Sequence, residues 1–375
     1  MGRLMWQELP LWQPRVTEEL RQQTRVQYRE ICRRLHSHPS IFFWTLGCEL
    51  NTEADAAFLE ELYNMAKGII NGGLVRDNSG SGECYGGLLK EHADFYDYHF
   101  YTDPHFYRDL MDYFAADWRE EKPWLYGEFC DSDTVRDIAR VMEAHGGDKP
   151  WWLVPSKLGI QWPVGYFHQK ERMVEAGLWN RLSELVETSN RKSQVYRKMV
   201  LEAVRQYRRT AGYVLTSIRD TPMASSAFFN DLGEAKCPAS QWIAFNGDTV
   251  LTLNWDNRRA WVHGGDRLVK WDTYNYWGLD TVRAHMVVSH FGREPLRVNS
   301  ITWELESGCS QESLNGFLAA KPVIWPGSVL ELGVVEFAAP LVNEVTRLDL
   351  KVRLSGSLEN DGGLIEKTCL ENSWP

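Results

Sequence analysis

Two glutamates, each placed where a buried strand is predicted to end, are the residues of this chain best suited to carry chemistry. Glu49 follows the apolar run 41–46 after the turn that Gly47 permits, and Glu128 ends the run 124–127. Near-continuous apolar runs of this kind are typical of strands buried on both faces in a parallel sheet. In barrels of alternating strands and helices, catalytic residues lie at the carboxyl ends of the strands. Two carboxylates on one such rim are what glycoside hydrolysis requires.

The segments around both glutamates resemble the signatures of glycoside hydrolase family 2, the family of β-galactosidases, β-glucuronidases and β-mannosidases. Its acid/base motif is His-Pro-Ser, an apolar strand with a Trp, and Leu-Gly-Asn-Glu; its nucleophile is a strand-end Glu, preceded by Lys-Pro and followed by Phe. The matching residues are His38, Pro39, Ser40, Trp44, Leu46, Gly47, Glu49, Lys122, Pro123, Glu128 and Phe129. The resemblance implies a retaining exo-acting β-glycosidase with Glu49 as acid/base and Glu128 as nucleophile. The alternative for either glutamate is an exposed carboxylate at the start of a helix.

Two positions depart from the family pattern. Cys48 stands where the family has an Asn that contacts the sugar 2-hydroxyl, and a thiol is a poor hydrogen-bond partner. Arg219 stands where many members carry a Trp as the sugar platform, so we expect Trp151 or Trp152 to replace it, or a different subsite. A buried pair between Arg219 and Asp220 is the structural alternative. These departures motivate a second hypothesis, a catalytically decayed carbohydrate-binding relative or an inactive truncated fragment.

Two residues of the predicted strand 95–101 are expected beside the glutamates. His99 and Tyr101 alternate along the strand and therefore face the same side of the sheet. The resemblance implies that Tyr101 hydrogen-bonds the nucleophile, and we expect His99 to contact the substrate. A register in which Tyr98 and Phe100 face the site is the alternative.

Polar residues at two further strand ends complete the predicted substrate-binding set. Glu8 ends the strand 3–10, where family members often place a substrate-facing polar residue; a structural salt bridge is the alternative. Asp77 and Asn78 end the strand 73–80 and could reach sugar hydroxyls, although Asp-Asn-Ser-Gly is also a common turn sequence.

Composition and net charge indicate which classes of partner the chain can bind. Its 375 residues are 43% hydrophobic, enough for a real core, and the net charge of −10 argues against a nucleic-acid partner. No apolar run approaches a membrane span. Seventeen Trp, fifteen Tyr and fifteen Phe suit the stacking of sugar rings as well as core packing. Seven cysteines without CxxC or Cys/His spacing predict free thiols and no metal or cofactor motif. The expected partner is an oligosaccharide or glycoside.

The elements that must position these residues alternate as in an α/β barrel. Strands are predicted at 3–10, 41–48, 73–80, 95–101, 124–129 and 212–218, with helices at 16–36, from a cap at Asn51 or Thr52 to Ile70, at 103–118 and at 182–210. The basic residues between 191 and 209 are expected to form a solvated face of the last helix. By resemblance to the family, these six strands correspond to barrel strands three to eight. The predicted fold is therefore an incomplete TIM-type α/β barrel that lacks its first two strands. The segment 131–177 is a long insertion, with Trp151, Trp152 and Trp162 in a rim loop over the site.

After about residue 246 the apolar pattern alternates with a period of two, which is typical of a β-sandwich and predicts strands at 249–255, 260–263, 281–290 and 347–354. The resemblance implies an immunoglobulin-like domain, giving a barrel at 1–245 and a sandwich at 246–375. Glu371, Asn372 and Trp374 resemble a late family element, so the sandwich is expected to be truncated. Missing barrel strands would leave unpaired edges, so we expect the chain alone to be poorly soluble or homo-oligomeric, with little activity. Cytoplasmic and periplasmic or secreted locations both stay open.

Overall fold

The computed structural model divides the chain into two compact units. It describes residues 4–12, 15–51, 54–80, 92–102, 104–114, 122–154, 166, 168–208, 210–256, 274–307, 314–359 and 365–374. The first unit comprises Met1–Tyr101, Ala115–Asp131 and Arg209–Thr216, and the second comprises Thr102–Phe114, Ser132–Arg208 and Ser217–Pro375. The units are interleaved along the chain, whereas the predicted domains are divided once, between residues 245 and 246; that division stays a prediction.

In the described part of the first unit, helices separate the first three of the parallel strands. The strands described there are β1 (Met5–Glu8), β2 (Ile41–Thr45), β3 (Leu74–Arg76), β4 (Tyr96–Phe100), β5 (Trp124–Phe129) and β6 (Thr210–Leu215), and the helices are α1 (Glu18–Leu35) and α2 (Ala56–Ile69). Within the described ranges the strands form two parallel ladders, β1-β2-β3 and β4-β5-β6, rather than one continuous ladder. The mixed α/β character predicted from the sequence is therefore confirmed.

Each helix of this unit begins at a side chain that satisfies a free backbone N–H group. The Thr17 hydroxyl accepts the Leu20 N–H group at 3.2 Å, and the Asp55 carboxylate accepts the Phe58 N–H group at 2.9 Å. Asp and Thr are both favoured caps because their oxygens bind the unpaired first-turn donors. The predicted cap of α2 at Asn51 or Thr52 is wrong, because Asp55 caps the helix; Thr52 lies outside the described residues.

The core of the first unit packs the helices against β2. Trp44, Leu46 and Leu62 are completely buried, and each such side chain stabilises the fold by about 1.5–3 kcal/mol. Tyr28 of α1 is buried in the same cluster, and its hydroxyl donates to the Leu46 carbonyl at 2.8 Å. Its polar contact therefore fixes the backbone just beyond β2, where the predicted catalytic segment begins.

The second unit contains the other helices of the described ranges. They are α3 (Pro104–Phe114), α4 (Ile138–Ala144), α5 (Gln169–Glu175), α6 (Leu182–Arg205) and α7 (Ala239–Asn246), with 3-10 turns at Trp151–Leu153 and Trp179–Arg181. The predicted loop at 131–177 therefore includes two α-helices and a 3-10 turn; Trp162 lies outside the described residues. None of the described helices is long and apolar enough to cross a membrane.

The polar face of α6 is less exposed than the sequence predicts. The 191–209 region reads as a solvated basic face, but Arg197 and Arg205 are buried. Arg205 donates to the Ser289 hydroxyl at 2.9 Å, and the Arg197 guanidinium lies over the Phe228 ring at 5.0 Å. Both contacts satisfy the cations inside the second unit, so the prediction of a solvated face is wrong for these two arginines.

Two antiparallel sheets of the second unit share one hydrophobic core. The strands are β7 (Thr249–Trp255), β8 (Thr281–His290), β9 (Leu296–Ser307), β10 (Leu314–Leu318), β11 (Val323–Ile324), β12 (Ser328–Ala338), β13 (Leu348–Glu359) and β14 (Ile365–Trp374). One sheet has the order β10-β9-β13-β14, with β11 on β9, and the other has the order β12-β8-β7. The alternating pattern after residue 246 thus predicted the strands correctly; the strand predicted at 260–263 lies outside the described residues.

Cysteines in the described part of the chain form no disulfide, as their irregular spacing predicted. The free thiols are Cys32, Cys48, Cys130, Cys237 and Cys369.

Candidate active site

Glu49 is held in a left-handed backbone conformation just beyond β2. Its φ is 46°, which is uncommon for a residue with a side chain and costs about 1–3 kcal/mol. Backbone hydrogen bonds compensate: Cys48 N–H donates to the Leu11 carbonyl at 2.7 Å, and Glu49 N–H donates to the Ser79 carbonyl at 2.9 Å. The segments that follow β1 and β3 therefore fix the direction in which the carboxylate points.

Glu128 is the penultimate residue of β5, where a glycine gives it room. His99 of β4 is its register partner. At Gly127, a Cβ atom would lie only 2.0 Å from Asp97 Oδ1, so no other residue fits there without a rearrangement. Asp97 is completely buried and accepts the Gly80 N–H group at 3.0 Å. The buried carboxylate of Asp97 thus ties the turn after β3 to the strand that presents Glu128.

His99 brings the two glutamates together. Its buried imidazole has Nδ1 at 2.9 Å from Glu49 Oε1 and at 3.5 Å from Glu128 Oε2. Because both distances share one atom, the two carboxylate oxygens lie closer together than the roughly 9.5 Å upper limit for glycosidase carboxyl pairs. The other ring nitrogen, Nε2, lies 2.9 Å from Ser79 Oγ, so both sides of the imidazole are fixed.

Both oxygens of Glu128 have a further hydrogen-bond donor. The Tyr101 hydroxyl donates to Oε2 at 2.5 Å and lies 3.2 Å from Thr216 Oγ1, and the Cys48 thiol donates to Oε1 at 3.9 Å. Burial and the negative charge of Glu128 raise the pKa of the Tyr101 phenol, so this group stays protonated and remains a donor. These contacts fix the orientation of the Glu128 carboxylate.

Negative charge is concentrated around Cys48. Burial raises the pKa of its thiol, and the carboxylates of Glu8, Glu128 and Glu49 raise it further, so the free thiol is neutral. A neutral thiol is a weak donor and not a nucleophile. The Glu8 side chain is exposed to solvent, but desolvation and the charge of Glu128 raise the pKa of its carboxyl group. Hydrogen bonds with Ser79 and Cys48 lower the pKa and offset part of this rise.

Trp12 is a site residue that the sequence reading missed. Its indole Nε1 donates to Glu49 Oε2 at 3.3 Å, and 59% of the residue is exposed. It lines a cavity of about 260 Å³ with Glu8, Leu9, Pro10, Leu11 and Cys48. The sequence feature that could have identified Trp12 is its place two positions after the predicted strand 3–10, where the active-site loops of a barrel begin.

The structure thus brings most of the predicted residues of the first unit together. The residues gathered there are Glu8, Cys48, Glu49, His99, Tyr101 and Glu128. The alternative register is wrong for Tyr98, which is buried against Trp124 with ring centroids 5.8 Å apart; the Phe100 side chain is outside the described part.

Asp77 and Asn78 differ from expectation because both side chains are completely buried. Asn78 Oδ1 accepts the Leu50 N–H group at 3.0 Å, a hydrogen bond between segments 28 positions apart and not the local bond of a turn residue. Asp77 exposes no surface to a sugar hydroxyl, so the predicted substrate contact is not supported. Asn78 instead holds the backbone just after Glu49.

The predicted aromatic platform belongs to the second unit. Trp151 is 79% exposed, whereas Trp152 is half-buried with the Arg136 guanidinium 4.9 Å from its ring centroid. Their roles as sugar platforms stay predictions.

Arg219 is also in the second unit, where it is exposed and donates to the Asp231 carbonyl. The alternative of a buried Arg219–Asp220 pair is wrong, because Asp220 instead binds Lys236 Nζ at 2.7 Å. The lysine is 16 positions away in the chain and offered no local signal. A substrate contact by Arg219 stays a prediction.

One group of site residues has the donor types of a metal centre. Cys48 Sγ, a His99 ring nitrogen and a Glu128 oxygen lie within 4.8 Å of one another. No spacing motif in the sequence predicts this group, because its three residues lie at the ends of three different strands.

Comparisons with known proteins find one family model that matches part of this chain and several solved glycosidase structures that resemble it. A family model described as a domain of unknown function, DUF8488, matches residues 280–375. No curated protein matches the chain. A calcium-binding mutant of Bacteroides uniformis β-glucuronidase 2 is 15% identical, with a TM-score of 0.44, over 98% of this chain and 38% of that one.

Two other solved structures are similar in the same way. The Amycolatopsis orientalis exo-chitosanase CsxA is 11% identical, with a TM-score of 0.49, over 96% of this chain and 39% of its own. The Parabacteroides merdae β-glucuronidase is 12% identical, with a TM-score of 0.38, over 98% and 40%. The chain therefore spans about two fifths of the length of these solved glycosidases.

Proposed function

We propose that this chain carries the active site of a retaining exo-acting β-glycosidase of the glycoside hydrolase family 2 type, acting on O-glycosidic bonds of an oligosaccharide or glycoside. The observation that carries the proposal is the convergence of Glu49 and Glu128 on one nitrogen of His99. Two carboxyl groups close together at strand ends are the minimum that a double displacement requires. The match of both surrounding motifs to the family supports the same assignment.

Each glutamate has one role in each of two steps. In the first, Glu49 donates its proton to the glycosidic oxygen while Glu128 attacks the anomeric carbon, so the bond to the leaving group breaks as a glycosyl ester forms. In the second, Glu49 takes a proton from a water molecule whose oxygen attacks the anomeric carbon. The ester bond to Glu128 then breaks, and both carboxyl groups return to their initial state.

The neighbours of the pair position substrate and nucleophile. Tyr101 and Cys48 hold the two oxygens of Glu128 by hydrogen bonds. The exposed Trp12 ring beside Glu49 suits the apolar face of a sugar, which stacks on flat aromatic surfaces. Glu8, in the same cavity, would contact a substrate hydroxyl.

We also infer the finer fold from the order of the elements. Parallel strands alternating with helices in the first unit support an incomplete TIM-type barrel, and two antiparallel sheets around one core support an immunoglobulin-like sandwich. In this proposal the barrel spans 1–245 and the sandwich 246–375.

The proposal is tested by trapping the glycosyl ester. The protein is incubated with 4-nitrophenyl 2-deoxy-2-fluoro-β-glycosides of several sugars, and the labelled peptide is located by mass spectrometry. Because the trap reports a single turnover, it also detects a slow enzyme. We expect one label on Glu128, none in Glu128→Gln, and an unchanged label in Glu175→Gln, whose glutamate is exposed at the end of α5.

A second function, a carbohydrate-binding relative without catalysis, is favoured by one observation. The Cys48 thiol, a weak donor, occupies the place of the family's Asn. Sugar binding by calorimetry without any trapped ester across the sugar series would establish this alternative and contradict the enzyme.

A further inference from the structure

A thiol, an imidazole and a carboxylate lie together in the candidate site. Glycoside hydrolysis needs the carboxylate but does not need this combination of ligand types. Cys48 Sγ lies 3.9 Å from Glu128 Oε1, and His99 Nδ1 lies 3.5 Å from Glu128 Oε2. The three side chains keep their donor atoms within 4.8 Å of one another. A thiol, an imidazole and a carboxylate are the three ligand types that zinc sites in proteins combine.

These separations are close to those of a bound zinc ion. Zinc bonds are about 2.3 Å to sulfur and about 2.0–2.2 Å to nitrogen and oxygen, so tetrahedral ligand atoms lie roughly 3.3–3.8 Å apart. Two of the measured distances, 3.5 and 3.9 Å, already fall in or next to that range. The two distances end on different oxygens of Glu128, so the carboxylate must rotate or use both oxygens to complete the site.

The surroundings favour a cation and orient its histidine ligand. Glu8 and Glu49 add two carboxylates to the charge of Glu128 around the Cys48 sulfur. This concentration of negative charge lowers the energy of a divalent cation placed among these side chains. Ser79 Oγ, 2.9 Å from His99 Nε2, supplies the outer hydrogen bond that metal-binding histidines usually make, while Nδ1 faces the cluster.

We propose that Cys48, His99 and Glu128 bind a Zn²⁺ ion and that the bound ion switches the site off. Zinc replaces the thiol proton, which passes to solvent, and takes the oxygen lone pair with which Glu128 would attack a sugar. Thiolate and imidazole ligands select zinc over Mg²⁺ and Ca²⁺, which prefer oxygen. The switch rests on the proposed glycosidase function, whereas the binding site does not.

Binding is tested first, without any substrate. The reduced protein is titrated with Co²⁺ as a spectroscopic substitute for zinc, and the near-ultraviolet charge-transfer band of a Co²⁺–thiolate bond is recorded. We expect one equivalent of Co²⁺ to give the band, Zn²⁺ to abolish it by competition, and Mg²⁺ to leave it unchanged. Absence of the band from the unmodified protein would overturn the proposal without any mutation.

Variants then assign the ligands. Cys48→Ser should lose the band and bind zinc at least about tenfold more weakly in competition with a chromophoric chelator. His99→Gln should lose affinity to a similar degree, while Cys369→Ser, which removes an exposed thiol on β14, should behave like the unmodified protein. Circular dichroism checks that each variant is folded. A band that survives in folded Cys48→Ser, or in Cys48→Asn if the serine variant fails to fold, would contradict the assignment.

The switch is tested last, by ester trapping with and without Zn²⁺. Saturating zinc should prevent labelling of Glu128, and a chelator should restore it; in Cys48→Asn, zinc at the same concentration should have little effect. Binding without loss of labelling would refute the switch alone. Binding by a protein that never forms an ester would refute the glycosidase and leave the metal site established.

Discussion

At the scale of single residues, one imidazole organises the site. His99 contacts both glutamates through Nδ1, but the two carboxylates differ in their other partners. Glu128 is bound by a phenol and a thiol, whereas Glu49 is bound by the exposed indole of Trp12. This asymmetry is the basis on which we propose a fixed nucleophile in Glu128 and an acid/base in Glu49.

The two roles predict different mutant kinetics. Glu128→Gln should abolish turnover of every substrate, because no nucleophile remains. Glu49→Ala should still form the ester from a nitrophenyl glycoside, whose leaving group needs no proton, but should release it slowly. Added azide should then restore turnover and give a β-glycosyl azide, which is identified by mass spectrometry. Equal losses for both variants without rescue would contradict the assignment.

Cys48 makes a second prediction at this scale. Cys48→Asn places an amide donor where the thiol stands, and one hydrogen bond to a sugar 2-hydroxyl is worth about 0.5–1.5 kcal/mol. We expect kcat/KM to rise by up to roughly tenfold for a substrate with that hydroxyl. The matched 2-deoxy substrate should show no gain, and neither should Cys48→Ala. A gain that is equal for both substrates would show that the amide acts in another way.

Sequence reasoning predicted which of several candidate residues lie together, because strand ends are readable from apolar runs; their chemical roles stay a proposal. Glu49, Glu128, His99 and Tyr101 were expected side by side and are in contact. It could not identify the burial of Asp77 or the metal-type grouping, because both depend on how separate strand ends converge. Nothing local in the sequence encodes that convergence.

At the scale of elements, glycine geometry sets the position of Glu128, the proposed nucleophile. Gly127 leaves just enough space for Asp97, whose other carboxylate oxygen holds the turn at Gly80. Gly80 itself has a φ of 91°, and a Cβ atom there would lie 3.0 Å from His99 Nδ1. The loop after β3 and the strand β5 are therefore coupled to the site through positions that only glycine fits.

We predict that Gly127→Ala damages both stability and chemistry. The added methyl group meets Asp97, and such overpacking costs about 1–3 kcal/mol. A shift of about 1 Å in Glu128 should slow ester formation by roughly 100-fold. Urea unfolding and the rate of trapping measure the two effects.

The matched control is Gly68→Ala in α2, where the methyl group meets nothing within 4 Å. Alanine is the better helix former, so this variant should be more stable by about 0.5–1 kcal/mol and should keep its trapping rate. If Gly127→Ala were as stable and as fast as the control, the close packing of Asp97 against β5 would be refuted.

The elements themselves were largely predictable, and their ends were not. The strand Trp124–Phe129 was predicted at its observed bounds, because its apolar run is continuous. The start of α2 was predicted too early, because Asn51, Thr52 and Asp55 are all good caps and only tertiary packing chooses among them. The break of the six strands into two ladders also has no local signal.

At the scale of the whole molecule, one buried network explains why compact units do not follow sequence order. Glu202 of α6 accepts hydrogen bonds from Trp374 Nε1 at 2.6 Å and from Asn372 Nδ2 at 2.8 Å, both on β14. Lys198 Nζ donates to Asn372 Oδ1 at 2.7 Å. A helix that the sequence assigned to the barrel is thereby bonded to the last strand of the sandwich within the second unit. Local sequence patterns cannot predict a contact between residues 170 positions apart.

The network predicts that the last tryptophan stabilises the second unit through its N–H group as well as its ring. Trp374→Phe keeps most of the apolar contact but leaves Glu202, which is nearly buried, without its donor at 2.6 Å. Leaving a buried acceptor unsatisfied costs about 1–3 kcal/mol, so the urea midpoint of the variant should fall clearly below that of the unmodified protein.

Trp325→Phe is the matched control, because Trp325 is 63% exposed and its loss should change the free energy of unfolding by less than about 0.5 kcal/mol. Adding Glu202→Gln to Trp374→Phe should lower the midpoint further, because the Lys198 ammonium, which pairs with the same carboxylate, then loses its ion-pair partner. Equal midpoints for Trp374→Phe and Trp325→Phe would show that the indole N–H group contributes nothing and that the ring alone holds β14 in place.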